Sequence, residues 1–218
     1  MKKTILFTLV VGLVALVAEA SFKRMPIDAK FPTQEVLQHQ TITSPAASST
    51  AYILSANAGG GASGTTVTTF LAQPDVARNL VLTPGGTTAD VAAGNVVVTG
   101  RDAKGRVITE TLALIANQST ATTGNKAFKT ITSVQFPAED SPYGASFSLG
   151  IGEKLGLNRC LNGTGYFIKG LVDGAVLTGE TVAINATEMA SNTVIPNPAA
   201  NGSRVFDFLF IQNFRCDN

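Results

Sequence analysis

The chain is read as all-β: a β-sandwich of the jelly-roll or immunoglobulin-like type with an extended N-terminal arm. Three observations carry this. From Thr65 onward, about nine or ten short strand patterns follow one another at intervals of roughly 8–20 residues. No amphipathic helix pattern appears after Gln40. Gly is abundant at 21 residues, and charged residues are only 14% of the chain, which suits tight turns and surfaces covered by neighbours. An open sheet of this size would leave long unpaired edges, so two facing sheets are the expected arrangement.

Residues 1–20 are laid out like a secretory signal peptide. Lys2 and Lys3 form a basic start, Ile5 to Val17 is uncharged and mostly apolar, and Ala18-Glu19-Ala20 offers small residues at a cleavage position. The alternative is an uncleaved hydrophobic segment packed inside an assembly. The run falls short of the roughly 20 residues that cross a bilayer comfortably, so no stable membrane span is expected. Residues 21–64 read as an extended arm or linker, with Pro26, Pro32, a Ser-rich stretch and the loop from Asn57 to Gly64. Within it, Gln34 to His39 has room for one helical turn, and Tyr52 to Leu54 reads as a short strand. The Gly-rich loop lacks the Lys-Ser/Thr ending of a phosphate-binding loop and opens no helix.

The domain proper is placed at 65–218 and is expected to fold on its own. Thr65 to Leu71 is the first strand pattern, and Gln73-Pro74-Asp75 breaks it. Arg78 to Thr83 is the next, closed by Pro84-Gly85-Gly86. Asn95 to Arg101 and Arg106 to Ile115 flank Asp102–Gly105 as the clearest hairpin in the chain. On its second strand Ile108, Leu112 and Leu114 share a face with Glu110, which is read either as pinned to a basic partner or, preferably, as wet near a sheet edge. Phe128 to Phe136, Ala145 to Gly152, Tyr166 to Val172, Ala175 to Leu177 and Thr181 to Ala186 follow, with Asp173-Gly174 as a turn. The last pattern, Val205 to Asn213, is the most apolar. One of its faces is Val205, Asp207, Leu209 and Ile211; the other is Phe206, Phe208 and Phe210. A sandwich core needs one face, and the Phe face is taken as the assembly strand.

Function classes are narrowed by what is scarce. The net charge is +1, so nothing points to nucleic acid or an anionic membrane surface. The single His is His39, in the arm, far along the chain from both cysteines, and there is no Gly-x-Ser-x-Gly elbow. Glu139-Asp140 reads as a solvated pair in a Pro-flanked loop. Catalytic residues, cofactors and metals are therefore all expected to be none, and the protein is not expected to be an enzyme. The absence of Trp removes the usual platform for a carbohydrate-binding module. Four Asn-x-Ser/Thr triplets, at Asn117, Asn162, Asn185 and Asn201, receive no function. Cys160 and Cys216 form a disulfide if the protein is exported and remain free or buried thiols if it assembles in a cytoplasm.

Several phrases occur in a familiar order: Gln73-Pro-Asp-Val76, Asn95-Val-Val-Val-Thr-Gly-Arg-Asp102, Gly105-Arg-Val-Ile-Thr-Glu110, Lys126-Ala-Phe-Lys-Thr-Ile-Thr-Ser-Val134, Gly152-Glu-Lys-Leu-Gly-Leu157 and Pro198-Ala-Ala-Asn-Gly202 before Val205. Together, over roughly residues 70 to 215, they resemble small β-rich structural proteins of tailed bacteriophages. None is a catalytic signature. The resemblance implies a virion component, a capsid decoration or head-fibre protein on the outside of the shell. Its partners would be itself, as a homo-oligomer, and a major capsid protein. The alternative is an exported extracellular fibre or surface-layer subunit with a cleaved signal, whose partners are filament neighbours joined at sheet edges.

Overall fold

The structure, a computed structural model, describes residues 36–212. The leader reading of residues 1–20 and the first part of the arm lie outside the described residues. The chain is all-β, with fourteen strands among the described residues and a few single 3-10 turns. In order the strands are β1 (Val36–Thr43), β2 (Ser49–Ala58), β3 (Thr65–Val67), β4 (Arg78–Gly86), β5 (Gly94–Arg101), β6 (Val107–Leu114) and β7 (Thr122–Thr123). Then come β8 (Thr130–Phe136), β9 (Ala145–Gly156), β10 (Phe167–Val172), β11 (Ala175–Val176), β12 (Thr181–Ala183), β13 (Thr193–Ile195) and β14 (Val205–Gln212).

These strands form three antiparallel sheets. Sheet A runs β1-β14-β10-β11, sheet B runs β12-β13-β9-β4-β7 with β2 also paired to β9, and sheet C runs β3-β8-β5-β6. Sheets B and C make the expected sandwich. Ile53, Leu80, Leu82, Phe147, Leu149 and Ile151 from B meet Val96, Val98, Leu112, Ile131, Val134 and Phe136 from C in one buried core. Phe136 and Phe147 stack across it at 5.1 Å between ring centres. Sheet A was not foreseen as a separate layer. Its Ile42, Val172, Phe206, Phe208 and Phe210 make a second core with Leu155, Leu157, Leu161 and Val194. Strand β9 serves both cores, because its first half lies in the sandwich and Leu155 lies in the second core.

The arm reading fails for its described part. β1 pairs with β14 along its whole length, from Val36 opposite Gln212 to Thr43 opposite Val205. β2 pairs with β9. The domain therefore begins no later than Val36, and 36–58 supplies two strands rather than a linker. The stretch Gln34 to His39, given room for one helical turn at most, is strand from Val36. Its polar look has a physical reason: Gln40 turns inward and bonds, through Nε2, the carbonyl of Gly156 at 3.0 Å, while its Oε1 accepts from the amide of Asn158 at 2.8 Å. Two Gln at inward positions hide the alternation that marks a strand.

The expected hairpin forms, with β5 and β6 in continuous register. Asp102 accepts the amides of Lys104 and Arg106 through Oδ1, and Gly105 takes φ +80°, the left-handed conformation that glycine adopts freely. Pro84-Gly85-Gly86 does not close β4. The ladder to β9 continues to Gly86 opposite Ala145. Proline is tolerated there because β7 reaches only Val81 and Leu82, so Pro84 has no ladder on its other side. Asp173-Gly174 is a two-residue turn with both φ angles positive, joining β10 to β11.

Candidate functional site

The last strand resolves the choice between its two faces against the sequence reading. Phe206, Phe208 and Phe210 are fully buried in the second core, so they are not an assembly face. The chain hides them itself: β14 is interior in sheet A, and Val194, Leu155 and Leu161 pack in the same core. The outward face is Val205, Asp207, Leu209 and Ile211, each part-exposed. Leu209 lies opposite His39 on β1 and Lys169 on β10, and Ile211 lies opposite Leu37.

This outer face of sheet A mixes apolar side chains with a polar node at Asp207 and with exposed Lys169 and Thr43. Leu37 is 61% exposed, and Ile168 and Val176 are each 53% exposed. Between them Asp207 accepts the Thr41 hydroxyl at 2.6 Å and lies 2.8 Å from His39 Nε2. The Thr41 hydroxyl, and then His39, hold the Asp207 carboxyl below its ordinary range despite the opposing effect of partial burial. The node therefore keeps an ionised Asp among apolar side chains by giving it two neighbours on the adjacent strand.

A second polar cluster gathers around Glu110. The sequence offered a wet acid at a sheet edge; the side chain is instead buried, 9% exposed. β6 points it inward, where Oε1 accepts the amides of Asn125 at 2.5 Å and Lys126 at 3.2 Å. Oε2 is buried without a hydrogen-bond partner. Burial raises the carboxyl above its ordinary range, against the pull of the two amides, Lys126 and Lys154. A Cβ at 124 would stand 2.5 Å from Glu110 Oε2, so any larger residue there would have to move the carboxylate. Lys126 reaches Glu188 at 2.5 Å, and Lys154 reaches Asn125 Oδ1 at 2.5 Å and the Gly124 carbonyl at 3.1 Å. Burial opposes ionisation of Glu188, but the Lys126 and Ser191 hydrogen bonds outweigh it and the carboxyl sits below its ordinary range. The cluster fastens one turn to three neighbouring segments.

Arg78 is the residue that sequence reasoning passed over as the start of a strand. Its side chain is fully buried. Nε donates to the Gly152 carbonyl at 2.8 Å, and Nη2 donates to the same oxygen. Nη1 donates to the Ala46 carbonyl at 2.9 Å and lies 3.2 Å from Asp75 Oδ1. Asp75 Oδ2 in turn accepts the amide of Ala46. Arg78 thus plugs β9 at Gly152, in the gap between its pairings to β2 and β13, and ties the link between β1 and β2 to the sandwich. The signal was available: Asp75 and Arg78 stand three apart in a chain with few charges.

Glu139 is also buried, accepting from the Gly61 amide, whereas Asp140 is exposed, so the pair is not uniformly solvated. Two of the Asn-x-Ser/Thr triplets are turns. Asn185 Oδ1 accepts from Thr187 and Glu188, and Asn201 Oδ1 accepts from Ser203 and Arg204. Cys160 is fully buried beside Met189 and is disulfide-bonded; Cys216 lies outside the described residues. Among the described residues no three His, Cys, Asp or Glu side chains converge as a metal site, and no helix is long and apolar enough to cross a membrane. Comparison with family models, with curated proteins and with solved structures finds no match to this chain.

Proposed function

We propose that the chain is a non-enzymatic structural protein of a phage virion, a capsid decoration or head-fibre protein that sits on the outside of the shell as a homo-oligomer. The observation that carries an assembly role is the outer face of sheet A, where Leu37, Ile168 and Val176 stand exposed around part-exposed Leu209 and Ile211. Apolar side chains gathered on one sheet face of a chain with few charges mark a surface that is covered in use. The ordered phrases from Gln73 to Gly202 that resemble phage structural proteins supply the setting. Particles banded from a producing lysate and analysed by mass spectrometry should contain the chain in fixed proportion to the major shell protein. Its absence from such particles overturns the virion reading.

One observation favours a second reading, an exported fibre or surface-layer subunit. Cys160 is disulfide-bonded, and disulfides persist in oxidising compartments rather than in cytoplasm. The signal-like residues 1–20 point the same way. Intact-mass measurement separates the two settings. A mature chain that begins at Ser21 and is recovered outside the cells supports export.

A further inference from the structure

We propose that Asn162 is a site of spontaneous self-modification: its carboxamide closes onto the backbone nitrogen of Gly163 and ends, with water, as aspartate or isoaspartate. This chemistry needs no partner and stands whether or not the protein is a virion component. The chain has two Asn-Gly steps, Asn162-Gly163 before Thr164 and Asn201-Gly202 before Ser203. The two are chemically matched, because in each the attacking amide belongs to a glycine and no side chain shields it. Their surroundings are opposite. Asn201 Oδ1 accepts the Ser203 amide at 3.0 Å, the Ser203 hydroxyl at 3.0 Å and the Arg204 amide at 3.1 Å. The next nitrogen is engaged too, since the Gly202 amide donates to the Pro45 carbonyl at 2.8 Å. Carboxamide and nitrogen must both give up hydrogen bonds before they can meet.

At Asn162 neither group is held. Among the described residues its carboxamide makes no hydrogen bond, and the Gly163 amide donates to no acceptor. Asn162 is exposed and Gly163 half-buried, and a Cβ placed at 163 or at 165 would meet nothing within 4 Å, so the side chain has room to turn. The loop is nonetheless anchored on both sides of the pair. Leu161 is fully buried in the second core, and Tyr166 packs against that core while its amide donates to the Gly163 carbonyl at 3.0 Å. The reacting groups are therefore open to water on a loop whose ends are fixed.

Hydroxide removes the Gly163 amide proton, and the nitrogen attacks Asn162 Cγ. A bond forms between Cγ and that nitrogen, and the Cγ–Nδ2 bond breaks. The departing nitrogen leaves as ammonia with a proton from water, which restores the hydroxide. Water then opens the cyclic imide at either of its carbonyls. Nothing is oxidised or reduced. A neutral side chain becomes a carboxylate, which takes the formal net charge from +1 to zero. Isoaspartate also lengthens the backbone in the link between β9 and β10.

The test holds the purified full-length chain at mildly alkaline pH for several weeks and follows both Asn-Gly sites by peptide mapping with mass spectrometry. Conversion reads as the mass change of an amide NH2 replaced by a hydroxyl. In the folded chain Asn162 should convert at least about tenfold faster than Asn201, whose hydrogen bonds must break first. In guanidinium chloride, where those bonds are gone, the two sites should convert at similar rates. Gly163→Ala, which the open space at 163 accommodates, should slow Asn162 about tenfold and leave Asn201 unchanged. An Asn162 that stays intact in the folded chain, or converts no faster than Asn201, would overturn the proposal. So would a difference that persists in denaturant, because sequence and not structure would then be its cause. A Gly163→Ala chain that converts as fast as wild type would show that no ring closes on that nitrogen, and would overturn it as well.

Discussion

Arg78 and Glu110 are two ionisable side chains that the fold buries. Arg78 is charged, wholly buried and shared among Gly152, Ala46 and Asp75. Removing one partner of a buried ion pair strands the other, at a cost of about 3–5 kcal/mol. Arg78→Met should therefore lower the unfolding free energy by an amount of that order, seen as a lower urea midpoint with an unchanged m-value if the fold survives. Glu110 works differently, because its folded-state pKa is raised. A raised carboxyl destabilises the folded state once the pH exceeds the unfolded value, near 4.5, so acidification from neutrality recovers stability from this group. Asp207 and Glu188 are depressed and act with the opposite sign: their contributions are present above the unfolded values and lost only as the pH falls through the lower folded ones. Above about pH 4.5 the Glu110 effect thus stands clear of both. Glu110→Gln keeps an acceptor for Asn125 and Lys126 and should abolish that part of the pH dependence, measured as the wild-type minus variant difference in melting temperature. Glu110→Ala leaves two amides without an acceptor and should cost about 1–3 kcal/mol at any pH. A Gln variant as pH-dependent as wild type would remove Glu110 from the account.

At the scale of the strand, β14 makes the sharpest prediction. Phe208→Asp puts a charge into the second core and should prevent folding. Leu209→Asp faces outward between His39 and Lys169 and should change stability by about 1 kcal/mol or less. Circular dichroism of the two variants decides it; the reverse order would mean that the faces are exchanged. A chain that starts at Thr65 should likewise fail to fold, since it strips β1 from β14 and β2 from β9. These outcomes invert the sequence reading, and the reasons are local. Strands with clean alternation were legible: β6, whose buried positions are Ile108, Glu110, Leu112 and Leu114, and the first half of β9. β1 was not, because its inward Gln40 satisfies Gly156 and Asn158 instead of packing. β13 has only Thr193 to Ile195, too short for periodicity to show. The faces of β14 were visible as faces, but which one is core depends on sheet A closing over Leu155 and Val194, a long-range fact no local pattern carries. The same holds for the candidate site. The apolar character of the last strand was legible, whereas the patch on sheet A needs β1, β10 and β11 brought beside it.

The whole molecule has two cores and one strand that belongs to both, and this decides how it should unfold. If sheet A were a satellite, it would melt separately from the sandwich, as weakly coupled units do. Three links argue otherwise. β9 is an unbroken twelve-residue strand whose Phe147, Leu149 and Ile151 lie in the sandwich core and whose Leu155 lies in the second. Gln40 on β1 is bonded at both ends of its amide to the segment that leaves β9. Arg78 and Asp75 hold Ala46, in the link between a sheet A strand and a sheet B strand. Losing sheet A would therefore bare Leu155 and Val194 and release the Arg78 charge from part of its cage, so the sandwich would not survive intact. Urea unfolding should be a single transition. The chain has no Trp, and Tyr52 packs on the sandwich core while Tyr166 packs on the second, so Tyr52→Trp and Tyr166→Trp give one fluorescent reporter for each. Both should report the same midpoint and m-value as circular dichroism. A Tyr166→Trp transition at lower urea than the Tyr52→Trp transition, with circular dichroism following in two steps, would show that β9 is a hinge between independent cores.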